Sequence, residues 1–175
     1  MQRIKTITLR NFKFFYGIES EYSHNRIELN KNNLLLYGEN GSGKSSIYWA
    51  LYTFLQSSLK TDDDAIMKYF LNEGSQSLKN RYAVDGDESG ILVDFSSEND
   101  TLTQKEISNK RINTRGDIMT RKTLSTSDFL TYKYLSKLYD FRNSEPIDLF
   151  PIFVKDLLMF IDFEEEFTLL NGELS

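Results

Sequence analysis

The chain has 175 residues, of which 39% are hydrophobic and 14% aromatic; this suits one folded domain and is too apolar for a disordered chain. Its 21 basic and 26 acidic side chains give a net charge of −5, which argues against a broad electrostatic footprint for nucleic acid. The absence of cysteine excludes disulfides and thiolate catalysis, and with no leader or long apolar run we expect a cytoplasmic protein without a membrane span.

The first 29 residues are predicted to form β-strands. Residues 3–12 are rich in β-forming side chains, but Ile4 is out of phase with the other apolar positions, which predicts a bulge or burial on both faces. Gly17 marks a turn. Residues 18–23 and 26–29 are interpreted as one or two further strands.

The next segment carries a G-x-x-x-x-G-K-[ST] motif between an apolar run and a helical pattern. The motif occupies Gly38, Glu39, Asn40, Gly41, Ser42, Gly43, Lys44 and Ser45. The apolar run at residues 33–37 predicts a buried parallel strand that enters the loop. A helix extending to about residue 59 is predicted from apolar positions at i, i+3, i+4, i+7 and i+8, namely Ile47, Ala50, Leu51, Phe54 and Leu55.

This motif is typical of a loop that binds the phosphates of a nucleoside triphosphate. The glycines let backbone N–H groups turn inward toward phosphate oxygens. Lys44 places a positive charge on the β- and γ-phosphates, and the Ser45 hydroxyl is a candidate Mg²⁺ ligand. The helix that follows points its positive end at the same anion.

The middle of the chain is predicted to hold a short helix, a loop and a small sheet. The acidic run 62–64 indicates a helix cap or a solvated turn before a helix over residues 64–71. Residues 72–89 are the best loop candidate. Three segments are predicted as strands of a small antiparallel sheet, the first of them half-buried: residues 91–95, 101–107 and 118–124.

A group of basic residues lies in the same region. It comprises Lys105, Lys110, Arg111, Arg115, Arg121 and Lys122. The group is interpreted either as the solvated side of a hairpin and loop or as a surface that contacts a phosphate backbone. His24, the sole histidine, lies in a polar turn with no expected role, and the sequence offers no His/Cys metal site.

The last third of the chain is predicted to be helical. Ser127 and Asp128 are a suitable helix start for Leu130, Tyr134 and Leu138. A wider apolar stripe predicts a second helix that has Pro151 in its first turn. The stripe comprises Phe150, Phe153, Val154, Leu157, Leu158 and Ile161.

Two stretches together carry a resemblance to a known family. Residues 4–13 read I-K-T-I-T-L-R-N-F-K, and after a glycine residues 38–46 read G-E-N-G-S-G-K-S-S. Both stretches and their spacing resemble the start of the SMC/RecF-type ABC ATPases, which include chromosome-structuring, double-strand-break repair and phage-defence ATPases. The resemblance is strong over residues 3–55 and only architectural beyond them.

The resemblance implies an α/β fold of the P-loop NTPase class. This chain, residues 1–175, would be the N-terminal ATP-binding lobe of a split ABC/SMC-type head, with a mixed sheet around the P-loop helix, a small antiparallel sheet and C-terminal helices. Its expected parts are residues 1–60, with strands, P-loop and helix; residues 61–125, with a helix, a loop and antiparallel strands; and residues 126–175, which are helical.

The resemblance also implies the cofactors and the site. ATP with Mg²⁺ would bind along the Walker A loop from Gly38 to Ser46, with Ser45 as the metal ligand. The basic residue after Asn11 and Phe12 approaches the phosphates in the family, so Lys13 is a candidate second cation; otherwise it is an exposed lysine at the end of a strand. No residue of this chain is assigned as catalytic.

The implied partners are a C-terminal lobe and a second ATPase head. They would supply the Walker B acids, the signature motif and a switch histidine; DNA would be bound through the full protein. Val93-Asp94 resembles a Walker B strand only superficially because Phe95 follows where the family has Glu. Residues 129–142 contain no glutamine for the Q-loop, so Tyr132 or Lys133 would fill that position in altered form, or the loop has diverged.

Two alternatives stay open at this point. One is an autonomous P-loop phosphotransferase that uses Arg111, Arg115 and Arg121 in a lid. The other is an interaction module in which the nucleotide only orders the fold. On the family interpretation this chain binds nucleotide but scarcely hydrolyses it, and the pathway (repair, chromosome maintenance or antiviral defence) stays undecided.

Overall fold

The computed structural model describes residues 2–72 and 74–129. Those through Thr126 belong to one compact unit, and a second unit spans Ser127–Ser175. Of the helices predicted from Ser127 onward, only residues 127–129 are described, and they have no regular secondary structure; Pro151 and the Q-loop candidates Tyr132 and Lys133 lie outside the described residues.

A four-stranded sheet of order β2-β1-β3-β4 forms the centre of the first unit. Its strands are β1 Arg3–Arg10, β2 Arg26–Glu28, β3 Gly90–Ser96 and β4 Leu102–Ser108. The register of β1 against β3 shifts between Ile4 and Thr6, so the predicted irregularity at Ile4 is confirmed. Every strand pair among the described residues is antiparallel, so this part of the chain does not contain the mixed sheet that was expected.

One face of the sheet forms the core against the helix after the phosphate loop. The face is lined by alternating apolar residues that are fully or almost fully buried: Ile7, Leu9, Ile91, Val93, Phe95 and Ile107. This helix, α1, spans Lys44–Gln56 and places Phe54 against Phe95, with ring centroids 6.3 Å apart. Truncating such a buried aromatic ring to alanine costs about 3–5 kcal/mol of stability.

The predicted half-buried character of β3 is wrong. Leu92 and Ser96, on the other face of the strand, are also buried. Asp94 lies between them and accepts hydrogen bonds from Thr6 and Gln104. These side-chain contacts satisfy a carboxylate that the alternating pattern alone would place in solvent.

The predicted helices at residues 44–59 and 64–71 are partly confirmed. α1 ends at Gln56, and the 3₁₀ turn at Ser57–Leu59 that follows it reaches the predicted end of the helix at residue 59. α2, in contrast, spans only Asp64–Met67. Asp62 Oδ1 accepts the Ala65 N–H at 2.7 Å, whereas Asp63 at the N-cap makes no side-chain cap bond, so the acidic run forms an exposed turn whose first aspartate satisfies one N–H of the helix. The helix ends early because the chain turns through a bond from the Phe70 N–H to the Met67 carbonyl, and Phe70 then packs on Phe12.

The strand predicted at residues 118–124 is instead helix α3, Ile118–Ser125. Asp117 is extended at the N-cap and accepts the Thr120 N–H at 2.8 Å. Its other oxygen accepts from Lys105 at 2.7 Å. An aspartate that satisfies a first-turn N–H specifies a helix start, and this local signal decides against the predicted strand.

The apolar run at residues 33–37 is not the buried strand that was predicted. It has no regular secondary structure, and Leu35 and Tyr37 are 92% and 100% exposed. Among the described residues no backbone group of this run is hydrogen-bonded. A strand requires a neighbour for its N–H and C=O groups, and none of the four described strands pairs with this segment.

The predicted strand at residues 18–23 is also absent. The chain turns there through bonds from the Glu21 and Tyr22 N–H groups to the Ile18 carbonyl, and a 3₁₀ turn at Ser23–Asn25 leads into β2. Gly17, at φ 75°, is the predicted turn residue. In the described part of the chain, no helix has the length and apolar character needed to cross a lipid bilayer.

Candidate functional site

The phosphate loop is formed by the chain between residue 38 and the start of α1. Gly41 and Gly43 have φ angles of 88° and 89°, a region that side-chain-bearing residues adopt only with strain. A bond from the Ser42 N–H to the Glu39 carbonyl, 3.2 Å, closes a turn over residues 39–42 that contains Gly41. The motif therefore forms a defined loop, as the glycine spacing predicts.

Lys44 folds back over this loop. Its Nζ donates to the carbonyl oxygens of Gly38 and Glu39, each at 2.6 Å, and to Ser42 Oγ at 3.2 Å. The ammonium group is thus held at the loop by acceptors of the loop itself. A bound phosphate would offer the three N–H groups of the Lys44 ammonium a stronger, charged acceptor in place of these oxygens.

The start of α1 offers donors to an anion. Among the described residues, the N–H groups of Gly43, Lys44 and Ser45 have no hydrogen-bond acceptor, as expected for a first helical turn without a capping side chain. Partial positive charge of the helix is concentrated there. These donors and Lys44 fit a polyphosphate.

The two serines after Lys44 lie in different surroundings. Ser45 is exposed, so its hydroxyl is accessible to a metal ion at the loop. Ser46 is buried, and its Oγ accepts the Phe14 N–H at 3.4 Å. Ser46 therefore joins the loop to the segment after β1. The described residues contain no cluster of three or more His, Cys, Asp or Glu side chains that could hold a metal.

The Asn-Phe-Lys motif is fixed beside the phosphate loop. Asn11 and Lys13 have φ angles of 42° and 48°. Asn11 Oδ1 accepts the Gly17 N–H at 2.8 Å, and Phe12 is fully buried. The Lys13 N–H donates to the Leu78 carbonyl at 2.7 Å, and its carbonyl accepts from Asn80 Nδ2 at 2.7 Å.

These two bonds fix the backbone of Lys13 to the loop at residues 72–89. The next residue, Phe14, contacts Gly43 and Ser46. The structure therefore brings the Lys13 segment to the same helix start as the phosphate loop, while the Lys13 side chain stays partly exposed.

Phe14 is a residue that the sequence analysis missed. A Cβ added to Gly43 would lie 2.7 Å from Phe14 Cδ1, so the ring lies directly on the loop glycine. The only sequence signal was the run of three aromatic residues after Lys13, at residues 14–16, and this signal does not reveal which ring is buried. Phe15 is buried, and Phe14 is 54% exposed.

An ionic network supports the turn after β1. Arg10 Nε and Nη2 donate to the two carboxylate oxygens of Glu19, at 2.8 and 2.5 Å, and Nη1 donates to Glu88. Hydrogen bonding to Glu19 raises the pKa of Arg10, and hydrogen bonding from Arg10 lowers the pKa of Glu19 below its ordinary 4.5. For Glu88, burial opposes ionisation, but hydrogen bonds from Arg10 and Lys110 still lower the pKa.

Much of the basic group predicted between residues 105 and 122 is paired with carboxylates. Lys105 pairs with Asp117, and Lys110 pairs with Glu88. Arg115 pairs with Asp63 at 2.9 Å and donates to the Thr61 carbonyl. These contacts favour the interpretation of the basic group as the solvated side of a hairpin and loop. They also fix the side chain of Arg115, one of the three arginines considered for a lid.

Comparisons with known proteins bear on this site. A family model described as an AAA domain matches residues 6–172, a range that contains both the Asn-Phe-Lys motif and the phosphate loop. Comparison of the chain with curated proteins and with solved structures gives no match.

Proposed function

The chain belongs to the AAA domain family, and from this premise we propose that it is the ATP-binding lobe of an SMC/RecF-type ATPase. AAA ATPases generally bind ATP with Mg²⁺. The observation that carries the proposal is the phosphate loop: Lys44 is held over Gly38 and Glu39, and the first turn of α1 has N–H groups without acceptors. In this arrangement the ammonium and the backbone donors bind the β- and γ-phosphates, and the Ser45 hydroxyl ligates the Mg²⁺.

The SMC/RecF assignment is supported by how two motifs meet. The Asn11–Lys13 segment is fixed against the start of α1 through Phe14 and Ser46. In the proposed site Lys13 is a second cation for the phosphates. DNA is the proposed substrate of the full protein, in repair, chromosome maintenance or phage defence.

A second lobe completes the proposed site. Residues 33–37 expose apolar side chains and unpaired backbone, a combination that favours the addition of strands from another segment or chain. We assign this surface to the C-terminal lobe, which would bring the Walker B acids; a second head would bring the signature motif. Hydrolysis would follow only when the lobes and heads assemble.

Titration calorimetry with Mg-ATP tests the nucleotide site. Lys44→Ala is expected to abolish measurable binding, because the phosphates lose their principal side-chain cation. Lys122→Ala, which removes an exposed lysine of α3, is the matched control and should bind as the parent does. Unchanged affinity in a folded Lys44→Ala variant would refute the site.

Phosphate release and thermal melting test the incomplete-site proposal. The chain alone should release phosphate no faster than background, yet Mg-ATP at about a hundred times its Kd should add about 2.7 kcal/mol to the free energy of unfolding. Turnover by this chain that disappears in Lys44→Ala would show that a general base lies within it. Labelling of an acceptor would favour the phosphotransferase instead.

The lobe surface has its own test. Leu35→Lys should abolish association with the C-terminal lobe supplied as a separate chain, because it places a charge in a surface that must become buried. Leu102→Lys changes another exposed leucine, on edge strand β4, and is the control. Equal association of both variants would remove residues 33–37 from the interface.

A further inference from the structure

The phosphate loop contains an asparagine followed directly by a glycine, at Asn40 and Gly41. Both residues are exposed. Of the asparagines in the described part of the chain, Asn40 is the one that precedes a glycine. The pair is chemically reactive because the backbone nitrogen after an asparagine can attack its side-chain amide, and a glycine there has no Cβ to obstruct the attack. Asparagine is a thermolabile residue in proteins for this reason.

The structure leaves both reacting groups unrestrained. Among residues 2–72 and 74–129, neither the Asn40 side-chain amide nor the Gly41 N–H has a hydrogen-bond partner. A Cβ added to Gly41 would meet nothing within 4 Å, so the space beside this residue is open. The turn over the pair is closed by the 3.2 Å bond from the Ser42 N–H to the Glu39 carbonyl. Because glycine accepts either sign of φ, the Asn40–Gly41 peptide can rotate toward attack.

Two other asparagines near the loop are held in a different way. Asn11 and Asn80 are buried. Asn11 Nδ2 donates to the Glu88 carbonyl at 2.9 Å, and Asn80 Oδ1 accepts the Tyr82 N–H at 2.9 Å. Their amides are part of the packing. Asn40 therefore stands out as an asparagine whose amide the fold itself does not use.

We propose that Asn40 deamidates spontaneously in the nucleotide-free loop and that bound nucleoside triphosphate protects it. The Gly41 nitrogen attacks Asn40 Cγ and forms a cyclic succinimide. The bond from Cγ to the side-chain nitrogen breaks, and ammonia leaves with the proton of the Gly41 N–H. One water molecule then opens the ring at either carbonyl. The products are aspartate and isoaspartate, and no oxidant or reductant takes part.

Either product alters the loop where the phosphates are expected to bind. A carboxylate appears four positions before Lys44, and it repels the phosphates. Isoaspartate also adds a methylene to the main chain inside the turn that the Ser42–Glu39 bond closes. This consequence rests on the proposed function, because it requires the phosphates to lie in the loop. Phosphates bound by the N–H groups of the loop would in turn hold the Gly41 nitrogen away from Asn40.

Peptide mapping by mass spectrometry tests the proposal on the full 175-residue chain. Samples are incubated in mildly alkaline buffer, in water enriched in heavy oxygen, with Mg²⁺ alone or with Mg-ATP. An isoaspartyl methyltransferase quantifies isoaspartate. Gly41→Ala is the matched variant, because it keeps Asn40 and adds only a Cβ. Asn171 and Gly172 form the same pair outside the described residues and serve as a comparison within each sample.

Without nucleotide, Asn40 should convert to isoaspartate and aspartate that carry heavy oxygen, and Gly41→Ala should slow this severalfold. An Asn40 that stays intact while Asn171 converts would overturn the proposal, because the fold would then protect it. Aspartate without isoaspartate would overturn the cyclic route. The deamidated chain, separated by ion exchange, should bind ATP about tenfold more weakly or worse.

Protection by nucleotide is measured in the same samples. Mg-ATP at about a hundred times its Kd should slow conversion of Asn40 by up to about a hundredfold, because only about one chain in a hundred is then empty. Lys44→Ala should receive no such protection. Equal slowing at Asn40 and Asn171 would assign the effect to general stabilisation and overturn protection at the loop.

The two proposals fail in different ways. If titration calorimetry detects no ATP binding, the nucleotide site and the protection fall together, and conversion of Asn40 without ligand is still decided by the mapping. If ATP binds in a Lys44-dependent manner but Asn40 converts equally fast with and without it, the nucleotide site stands and the protection is refuted.

Discussion

The two left-handed glycines of the phosphate loop allow one contact to be measured separately from backbone strain. Gly41 and Gly43 have φ angles of 88° and 89°, but an added Cβ meets nothing within 4 Å at Gly41 and lies 2.7 Å from Phe14 Cδ1 at Gly43. Substitution of each by alanine therefore imposes the same backbone strain. Only Gly43→Ala also displaces a ring.

The expected magnitudes follow from this difference. Left-handed backbone costs about 1–2 kcal/mol for alanine, offset by about 0.4–1 kcal/mol from the stiffer unfolded chain, so Gly41→Ala should destabilise by about 1 kcal/mol. The steric contact at Gly43 adds a cost of about 1–3 kcal/mol, toward the lower end because the Phe14 ring is partly exposed and can rotate. Gly43→Ala should thus be the worse of the two by about 1 kcal/mol.

Urea unfolding followed by tryptophan fluorescence measures both variants. The sole tryptophan, Trp49, lies on α1 directly after the loop. In a Phe14→Ala background the excess cost of Gly43→Ala should vanish, and a double-mutant cycle should return a coupling of about 1 kcal/mol. Equal costs at Gly41 and Gly43 with no coupling would refute the contact between Phe14 and the loop.

Three further outcomes are expected. Ser45→Ala should lower ATP affinity with Mg²⁺ more than without it, and an equal fall in both titrations would exclude the hydroxyl as a metal ligand. Because the folded-state pKa values of Glu19 and Glu88 lie below their ordinary 4.5, their stabilising effect is present above that pH and is lost as the pH falls through the lowered values. Arg10→Met should reduce the loss of free energy of unfolding between about pH 6 and pH 3, measured by urea unfolding. An unchanged dependence of that free energy on pH would contradict the network. Asp117→Ala should cost about 0.5–2 kcal/mol through its N-cap, whereas Asp117→Asn should keep most of the cap; equal losses would assign the effect to the charge.

The local features of the site could be predicted from the sequence because they depend on residues close together in the chain. The loop needs its glycines, Lys44 and the helix start, which all lie within eight positions. The strand containing Ile91, Val93 and Phe95 was also predictable, because alternation is a property of one segment. In contrast, the order of the strands and the burial of both faces of β3 depend on contacts between distant segments.

Two errors have identifiable physical causes. The segment at residues 118–124 was predicted as a third strand of the small antiparallel sheet, but Asp117 caps the first turn of a helix there. The run at residues 33–37 has the composition of a buried strand, yet burial requires neighbours that lie elsewhere in the chain or in a partner. Phe14 was missed because the exposure of each ring in the run of three aromatic residues is set by the tertiary fold.

The exposed run at residues 33–37 also governs how the protein behaves at high concentration. Three leucines and a tyrosine with unpaired backbone and no charge or proline form the kind of short segment that promotes self-assembly into intermolecular sheets. Lys31 and Glu39 flank the segment with opposite charges, in the place where gatekeeper residues usually stand. The same surface that suits addition of a strand from another segment therefore also favours aggregation of the chain with itself.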